Sequence, residues 1–279
     1  MNAFELISKI YLQPMEKIKM VRKPNKLRKK LKEGKVVTGS VIYSWSPNVM
    51  EIGGYCGLDF MRIDNEHAWR QDKSAEHLIR AATIANVVPL IRVDRDNPYL
   101  IRKALEIGAG AILVPNLHTP DEVRSVVKAS KFPPLGIRGY SGSCWSAGWG
   151  TQAGKEWVQW SNTEPMIGVM IENVSIMDHL DEILSIEGLD YLYFGPSDYS
   201  MSLGLGEPKK NHPDVQDALK TIVDTAKKYG VHVALGVGTN LEEIQMYIDM
   251  GINMLEIGND LNILKSVWEC TNSSIKNMV

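Results

Sequence analysis

Ionisable residues stand at the ends of apolar runs in this chain, a pattern that suits proton and charge chemistry on a small substrate. "FMRID" leads into Asp64, Glu66 and His67; "LIRVD" carries Arg92 and Asp94; "MIGVMIE" ends in Glu172; "YLYFGPSDYS" carries Asp198. Two carboxylates from adjacent strands, Glu172 and Asp198, suit a hard divalent ion whose other ligands are water and substrate oxygens. They also suit two N-caps or loop salt bridges, or a glycosidase-type acid pair, though the last gives no role to the His and Arg. Arg92 lies inside an apolar run, where a guanidinium needs an anion: Asp64 or Asp94 within the chain, or a carboxylate on a substrate. His67 follows a buried-looking strand with carboxylates beside it, a setting for a general base. His118 is a weaker candidate for the same mouth, and "GVGTN" (236–240) reads as a helix start capped by Thr239 or Asn240 rather than as a phosphate cradle.

These groups need a scaffold that brings strand ends together. Eight short apolar runs supply one: 37–43, 59–64, 88–94, 109–115, 166–172, 190–196, 231–237 and 253–258. Most are bounded by Gly, Pro, Asn or Asp, as strands buried on both faces of a parallel sheet should be. Helical patterns lie between them. "TPDEVRSVVKAS" opens with Thr119 as N-cap and Pro120 in the first turn; "HPDVQDALKTIVDTAKKYG" has Pro213 early and Gly230 after its end; "TNLEEIQMYIDMG" closes on Gly251. Strands alternating with helices eight times predict a (β/α)8 TIM barrel, whose active site belongs at the C-terminal ends of the strands. An N-terminal extension, 1–26, precedes a single barrel domain, 27–279. The Gly-, Ser- and Trp-rich stretch from Phe132 to Glu164 lacks a clear period and reads as a long functional loop.

Bulk properties narrow the class. The net charge is −2 over 279 residues with a pI near 6.3, which gives no electrostatic case for nucleic acid or for an acidic membrane. The locally basic "KIKMVRKPNKLRKKLKEGK" reads as a solvated or subunit-packing extension. No apolar run spans a membrane or forms a signal-peptide core. Cys56, Cys144 and Cys270 are odd in number and widely spaced, which argues for a reducing cytoplasm over a disulfide framework. No GxGxxG follows the first strand and no Walker sequence appears, which lowers nucleotide binding.

In order, "DNEHA", "LIRVDRDNPYLIRKALEIGAGAILVPNLHTPDEV", "KFPPLGIRGYSG", "IENV", "IEGLDYLYFGPSDYSMSLG" and "HPDVQDAL" make a specific combination. It resembles the HpcH/HpaI aldolase family, metal-dependent class II pyruvate aldolases related to citrate lyase β-subunits, over most of the chain from about Leu27. The resemblance implies a carbon–carbon lyase that makes or cleaves a 4-hydroxy-2-oxo acid, pyruvate plus an aldehyde, through a metal-bound pyruvate enolate. By the same resemblance Glu172 and Asp198 hold Mg2+, Mn2+ or Co2+; Arg92 binds the 2-oxo acid; His67 transfers the proton with Asp64 near it; and Gly195, Pro196 and Ser197 hold the pyruvate carboxylate. It further implies a homohexamer built as a trimer of dimers, in which a helical acid, matched here by Glu106, reaches His67 of the next subunit.

The chain departs from the family pattern at several points. Met170 stands where Gln is common, Glu106 where Asp is usual, and Trp69, Arg70 and Gln71 where the loop after the His commonly carries Pro. Trp69 and Arg70 are therefore expected to touch the second substrate, and with Trp145 and Trp149 they suit a bulky acceptor. The alternative reaction keeps the enolate but makes it by decarboxylating oxaloacetate and adds it to another acceptor, as macrophomate synthase-like or citrate synthase-like relatives do. A non-catalytic small-acid binding barrel would be expected to have lost the carboxylate pair, and both members are present.

Overall fold

In a computed structural model, residues 24–67, 74–95, 97 and 99–278 are described. Eight parallel strands close into a barrel in sequential order. They are β1 Val37–Ile42, β2 Phe60–Asp64, β3 Val88–Arg92, β4 Ala111–Val114, β5 Met166–Ile171, β6 Tyr191–Phe194, β7 His232–Val237 and β8 Met254–Asn259. Each falls within a predicted apolar run or extends it by one residue. β8 pairs with β1 through a register shift between Gly39 and Val41, and this seam closes the cylinder.

Helices wrap the strands: α1 Lys26–Lys32, α2 Pro47–Tyr55, α3 Ser74–Ile84, α4 Tyr99–Ile107, α5 Pro120–Ser130, α6 Lys155–Thr163, α7 Leu180–Leu184, α8 Pro196–Ser202, α9 Pro213–Tyr229, α10 Leu241–Met250 and α11 Asp260–Lys276. The caps follow the sequence signals. Thr119 and Glu122 form a capping box at α5. Asn240, not Thr239, caps α10, accepting from the Glu242 and Glu243 amides. Gly230 and Gly251 end α9 and α10 in left-handed conformations that a side chain would disfavour.

Two apolar layers hold the barrel. The helices pack on the strands' outer faces, while Phe60, Leu90, Leu113, Met166, Tyr191 and Met254 fill the interior. α1 plugs the interior's N-terminal end with Leu27 and Leu31, each burial contributing about 1.5–3 kcal/mol. Asn25 caps that helix and ties it to the Gly110 carbonyl, and Arg28 pairs with Asp190 at 2.6 Å.

The stretch 132–164 differs from expectation. It contains a 3-10 turn at Trp145–Gly150 and the helix α6, organised by a small core of Phe132, Cys144, Ala147 and Trp157. Trp157 and Ser161, four residues apart, give α6 its buried face. Glycine and serine around a short amphipathic segment hid that period in the sequence.

α11 is unlike the other helices: Leu261, Ile263, Leu264, Val267, Trp268 and Ile275 are all exposed. Every residue of this helix after Asp260 is exposed, so none of its apolar side chains packs over the β8–β1 seam.

Candidate active site

Asp64 ends β2, fully buried, and Arg92 ends β3 opposite it in register. Arg92 Nη2 donates to Asp64 Oδ2, and Arg92 Nη1 lies 2.7 Å from Glu66 Oε2. Asp64 Oδ1 accepts the amides of Glu66 and His67 at 3.0 and 3.1 Å, so one carboxylate folds the tip of the β2 loop. Burial pushes the Asp64 carboxyl up, but Arg92, Arg62 and the His67 amide together hold it below the ordinary carboxylate range. The internal partner of Arg92 is thus Asp64, with Glu66 joining it. The buried Nε of Arg92 has no hydrogen-bond partner among the described residues, which leaves one donor for an incoming acceptor.

His67 is more than half exposed, and its Nε2 lies 3.8 Å from Glu66 Oε2. The imidazole stands at the mouth beside a carboxylate, a position from which it can take or give a proton.

Glu172 follows β5 and Asp198 lies in the first turn of α8 after β6. Burial pushes the Glu172 carboxyl up to about 7; the Asn116 amide opposes this, the charges of Glu66 and Asp198 add to it, and Arg92 opposes it. Asn116 adopts a left-handed conformation (φ 54°) after β4, and its amide donates to Glu172 Oε1. Gly195 lets the chain pass close to Glu172: a Cβ there would stand 3.2 Å from that of Glu172. Gly195, Pro196 and Ser197 turn from β6 into α8, so the loop expected to meet a carboxylate lies beside the expected metal pair.

The donor set fits a hard divalent cation. Among the described residues no three His, Cys, Asp or Glu side chains gather into a complete cage. Two carboxylates from adjacent strand ends, with the Glu172 proton affinity raised by burial and in part by the Asp198 charge, suit Mg2+-like chemistry completed by water and substrate oxygens. Met170 lies buried next to this pair, its Sδ 3.7 Å from Arg92 Nη1.

Glu106 is not part of this cluster within one chain. It lies near the end of α4, 3.9 Å from Arg102 Nε, and lines a separate cavity of 140 Å³ with Glu76, Arg80, Trp145 and Trp149. Trp145 and Trp149 therefore do not line the mouth of their own barrel. His118 holds the start of α5, its amide donating to Glu122 at 2.7 Å. Trp69 and Arg70 lie outside the described residues.

Several residues here were not singled out from the sequence. Arg62 and Glu256 face into the barrel and pair with each other, and Arg62 also reaches Asp64. Trp45, in a left-handed conformation, donates Nε1 to the Asp64 carbonyl at 3.0 Å. Asp260 accepts the Tyr43 and Ser44 amides at 2.9 and 3.0 Å, fixing the loop after β1. Arg62 offered the same signal as Arg92, a guanidinium inside an apolar run, and Glu256 its acidic counterpart. The signals of Trp45 and Asp260 are conformational and have no sequence pattern of their own.

Comparison with known proteins gives this geometry a family. The HpcH/HpaI aldolase/citrate lyase family matches residues 41–266. A 2-keto-3-deoxy-L-rhamnonate aldolase of Escherichia coli is 32% identical over 238 residues, 85% of this chain and 87% of that protein. A 2-dehydro-3,6-dideoxy-6-sulfogluconate aldolase of Pseudomonas putida is 28% identical over 237 residues, 85% of this chain and 91% of that protein. Among solved structures, the citrate synthase SbnG superposes with a TM-score of 0.81 at 27% identity, over 90% of this chain and 98% of that one.

Proposed function

The chain belongs to the HpcH/HpaI aldolase/citrate lyase family, and from that premise we propose that it is a divalent-metal-dependent aldolase acting on a 4-hydroxy-2-oxo acid, with pyruvate and an aldehyde on the other side of the reaction. The observation that carries this reading is Arg92: a buried guanidinium held by Asp64 and Glu66, one donor still unpartnered, across the mouth from a carboxylate pair. Removing a proton from the methyl group of pyruvate is hard because the carbanion is unstable. Glu172 and Asp198 would hold a Mg2+, Mn2+ or Co2+ ion, which would supply Lewis-acid polarisation of the 2-oxo acid.

The protein's own groups do the rest. Arg92 places fixed positive charge where negative charge develops on the 2-oxo oxygen. The turn at Gly195, Pro196 and Ser197 seats the pyruvate carboxylate beside the metal pair. His67 moves the proton of the aldehyde-derived hydroxyl, with the Glu66 carboxylate 3.8 Å from its Nε2. Asp64 stays ionised and orients Arg92 and the loop that carries His67. Trp69 and Arg70 would meet the second substrate.

The exposed apolar residues of α11 support assembly of copies of this chain, since a run of this kind on a helix is covered in a stable soluble protein. We place it in a homohexamer, a trimer of dimers, in which Glu106, steadied by Arg102, serves His67 of a neighbour. Three free cysteines support a cytoplasmic setting, and no helix among the described residues is long and apolar enough to cross a membrane.

The second reading is decarboxylation of oxaloacetate to the same enolate, followed by carbon–carbon bond formation with another acceptor, as in macrophomate synthase-like or citrate synthase-like enzymes. The likeness to a citrate synthase favours it. A panel separates the two: 2-keto-3-deoxy sugar acids assayed for pyruvate release, and oxaloacetate assayed for CO2, each with Mg2+ or Mn2+. Pyruvate release from the sugar acids supports the aldolase. CO2 release with no sugar-acid cleavage supports the second reading. Neither activity would overturn both.

A further inference from the structure

Just below the strand-end cluster, the barrel interior holds a second polar group. Arg62 points inward from β2, Tyr193 from β6 and Glu256 from β8. Arg62 Nε and Nη2 donate to Glu256 Oε2 and Oε1 at 2.6 and 2.7 Å, a bidentate pair. Tyr193 Oη donates to Glu256 Oε1 at 3.0 Å, and the Arg62 guanidinium lies 5.3 Å from the centre of the Tyr193 ring. Arg62 Nη1 reaches upward to Asp64 Oδ2 at 3.3 Å, the same oxygen that receives Arg92. The fold makes room for this. Gly236, next to Glu256 in register, lies where a Cβ would stand 2.7 Å from Tyr193 Oη.

Stability does not call for such a group. The interior around it is apolar, with Phe60, Leu90, Leu113, Met166 and Met254 nearby in the same packed layer system. A barrel interior needs only well-packed side chains. Replacing a buried ion pair by apolar residues of similar volume is often neutral or stabilising, because desolvating two charges costs about as much as their attraction returns. What the pair achieves is geometric. Asp64 sits between two guanidiniums and two loop amides, so its carboxylate has one orientation. Arg92 takes its own orientation from that carboxylate and keeps Nε free.

We propose that Arg62 and Glu256, braced by Tyr193, are positioning residues of the active site: they lock Asp64 and, through it, the guanidinium of Arg92 in the orientation that meets the 2-oxo acid. This rests on the assignment of Arg92 to substrate above. Neither Arg62 nor Glu256 is expected to touch substrate.

The test replaces the pair at once, Arg62→Met with Glu256→Met, so that no buried charge is orphaned. The single variant Arg62→Met leaves Glu256 unpaired and is expected to lower the melting temperature; the double variant, which leaves only the Tyr193 hydroxyl without its acceptor, is expected to melt above that single variant. Two readouts follow, the Mg2+-dependent exchange of pyruvate methyl protons in D2O and the crystal structure of the double variant. The expected result is a loss of exchange kcat of about tenfold to a hundredfold, the scale of a misplaced group rather than a missing one, with Arg92 turned off Asp64. Exchange within twofold of wild type with Arg92 unmoved would overturn the proposal. If the wild-type protein itself shows no exchange, the reading of Arg92 as a substrate ligand fails, and the crystal structure decides the positioning claim alone: a displaced Arg92 supports it and an unmoved one overturns it.

Discussion

Arg92 Nη1 lies 2.7 Å from Glu66 Oε2, while the other terminal nitrogen of the same guanidinium rests on Asp64. One strand-end arginine is therefore clasped by two acids of the neighbouring strand and its loop. Arg92→Lys keeps the charge but cannot span both carboxylates, and loss of a preorganised donor to a developing oxyanion is expected to lower kcat about 10²- to 10³-fold. Steady-state kinetics on the cleaved 2-oxo acid check this. Retention of more than a tenth of wild-type kcat would contradict the role given to Arg92.

Asp64 gives a pH prediction. Burial raises its proton affinity, but Arg92, Arg62 and the His67 amide outweigh burial and hold it below the ordinary carboxylate range. A carboxyl depressed in the folded state binds fewer protons folded than unfolded, so its contribution is complete above the unfolded value of about 4 and is lost as pH falls below it. Urea midpoints of wild type are expected to fall between pH 5 and pH 3 more steeply than those of Asp64→Asn. Parallel curves would count against the network.

Much of this was open to reading from the chain itself, and the misses have physical reasons. The eight strands were legible because a parallel barrel buries both faces, so each strand is a short apolar run between breakers. Asp64, Arg92 and Glu172 were legible because an ionisable group in or ending such a run needs a partner. Arg62 and Glu256 obeyed the same rule and went unused, since an alternate residue lower in a strand points into the barrel rather than to its mouth. That Trp145 and Trp149 join Glu106, away from their own barrel's mouth, follows from the packing of the 132–164 stretch, which has no periodic signature.

Assembly makes its own prediction. Val267→Glu with Trp268→Ser places charge and polarity on the exposed apolar face of α11. Sedimentation velocity is expected to show wild type as a hexamer and the variant as smaller species, with the same far-ultraviolet circular dichroism. A wild-type monomer would overturn the assembly.

If Glu106 serves a neighbour's His67, two inactive variants should repair each other. His67→Asn and Glu106→Ala, each at least tenfold down alone, are expected after mixed reassembly to regain about a quarter of wild-type turnover, since random pairing gives that share of intact sites across an interface between copies. No regain in mixed hexamers, shown by differently tagged subunits, would remove Glu106 from the site.

The most direct measurement concerns the enolate itself. Purified protein incubated with pyruvate and Mg2+ or Mn2+ in D2O should lose the pyruvate methyl proton signal. That loss should stop on addition of a chelator, return with the metal, and vanish in Glu172→Ala. Wild-type protein that leaves the methyl signal intact with every divalent metal, or Glu172→Ala protein that exchanges as fast as wild type, would contradict the account.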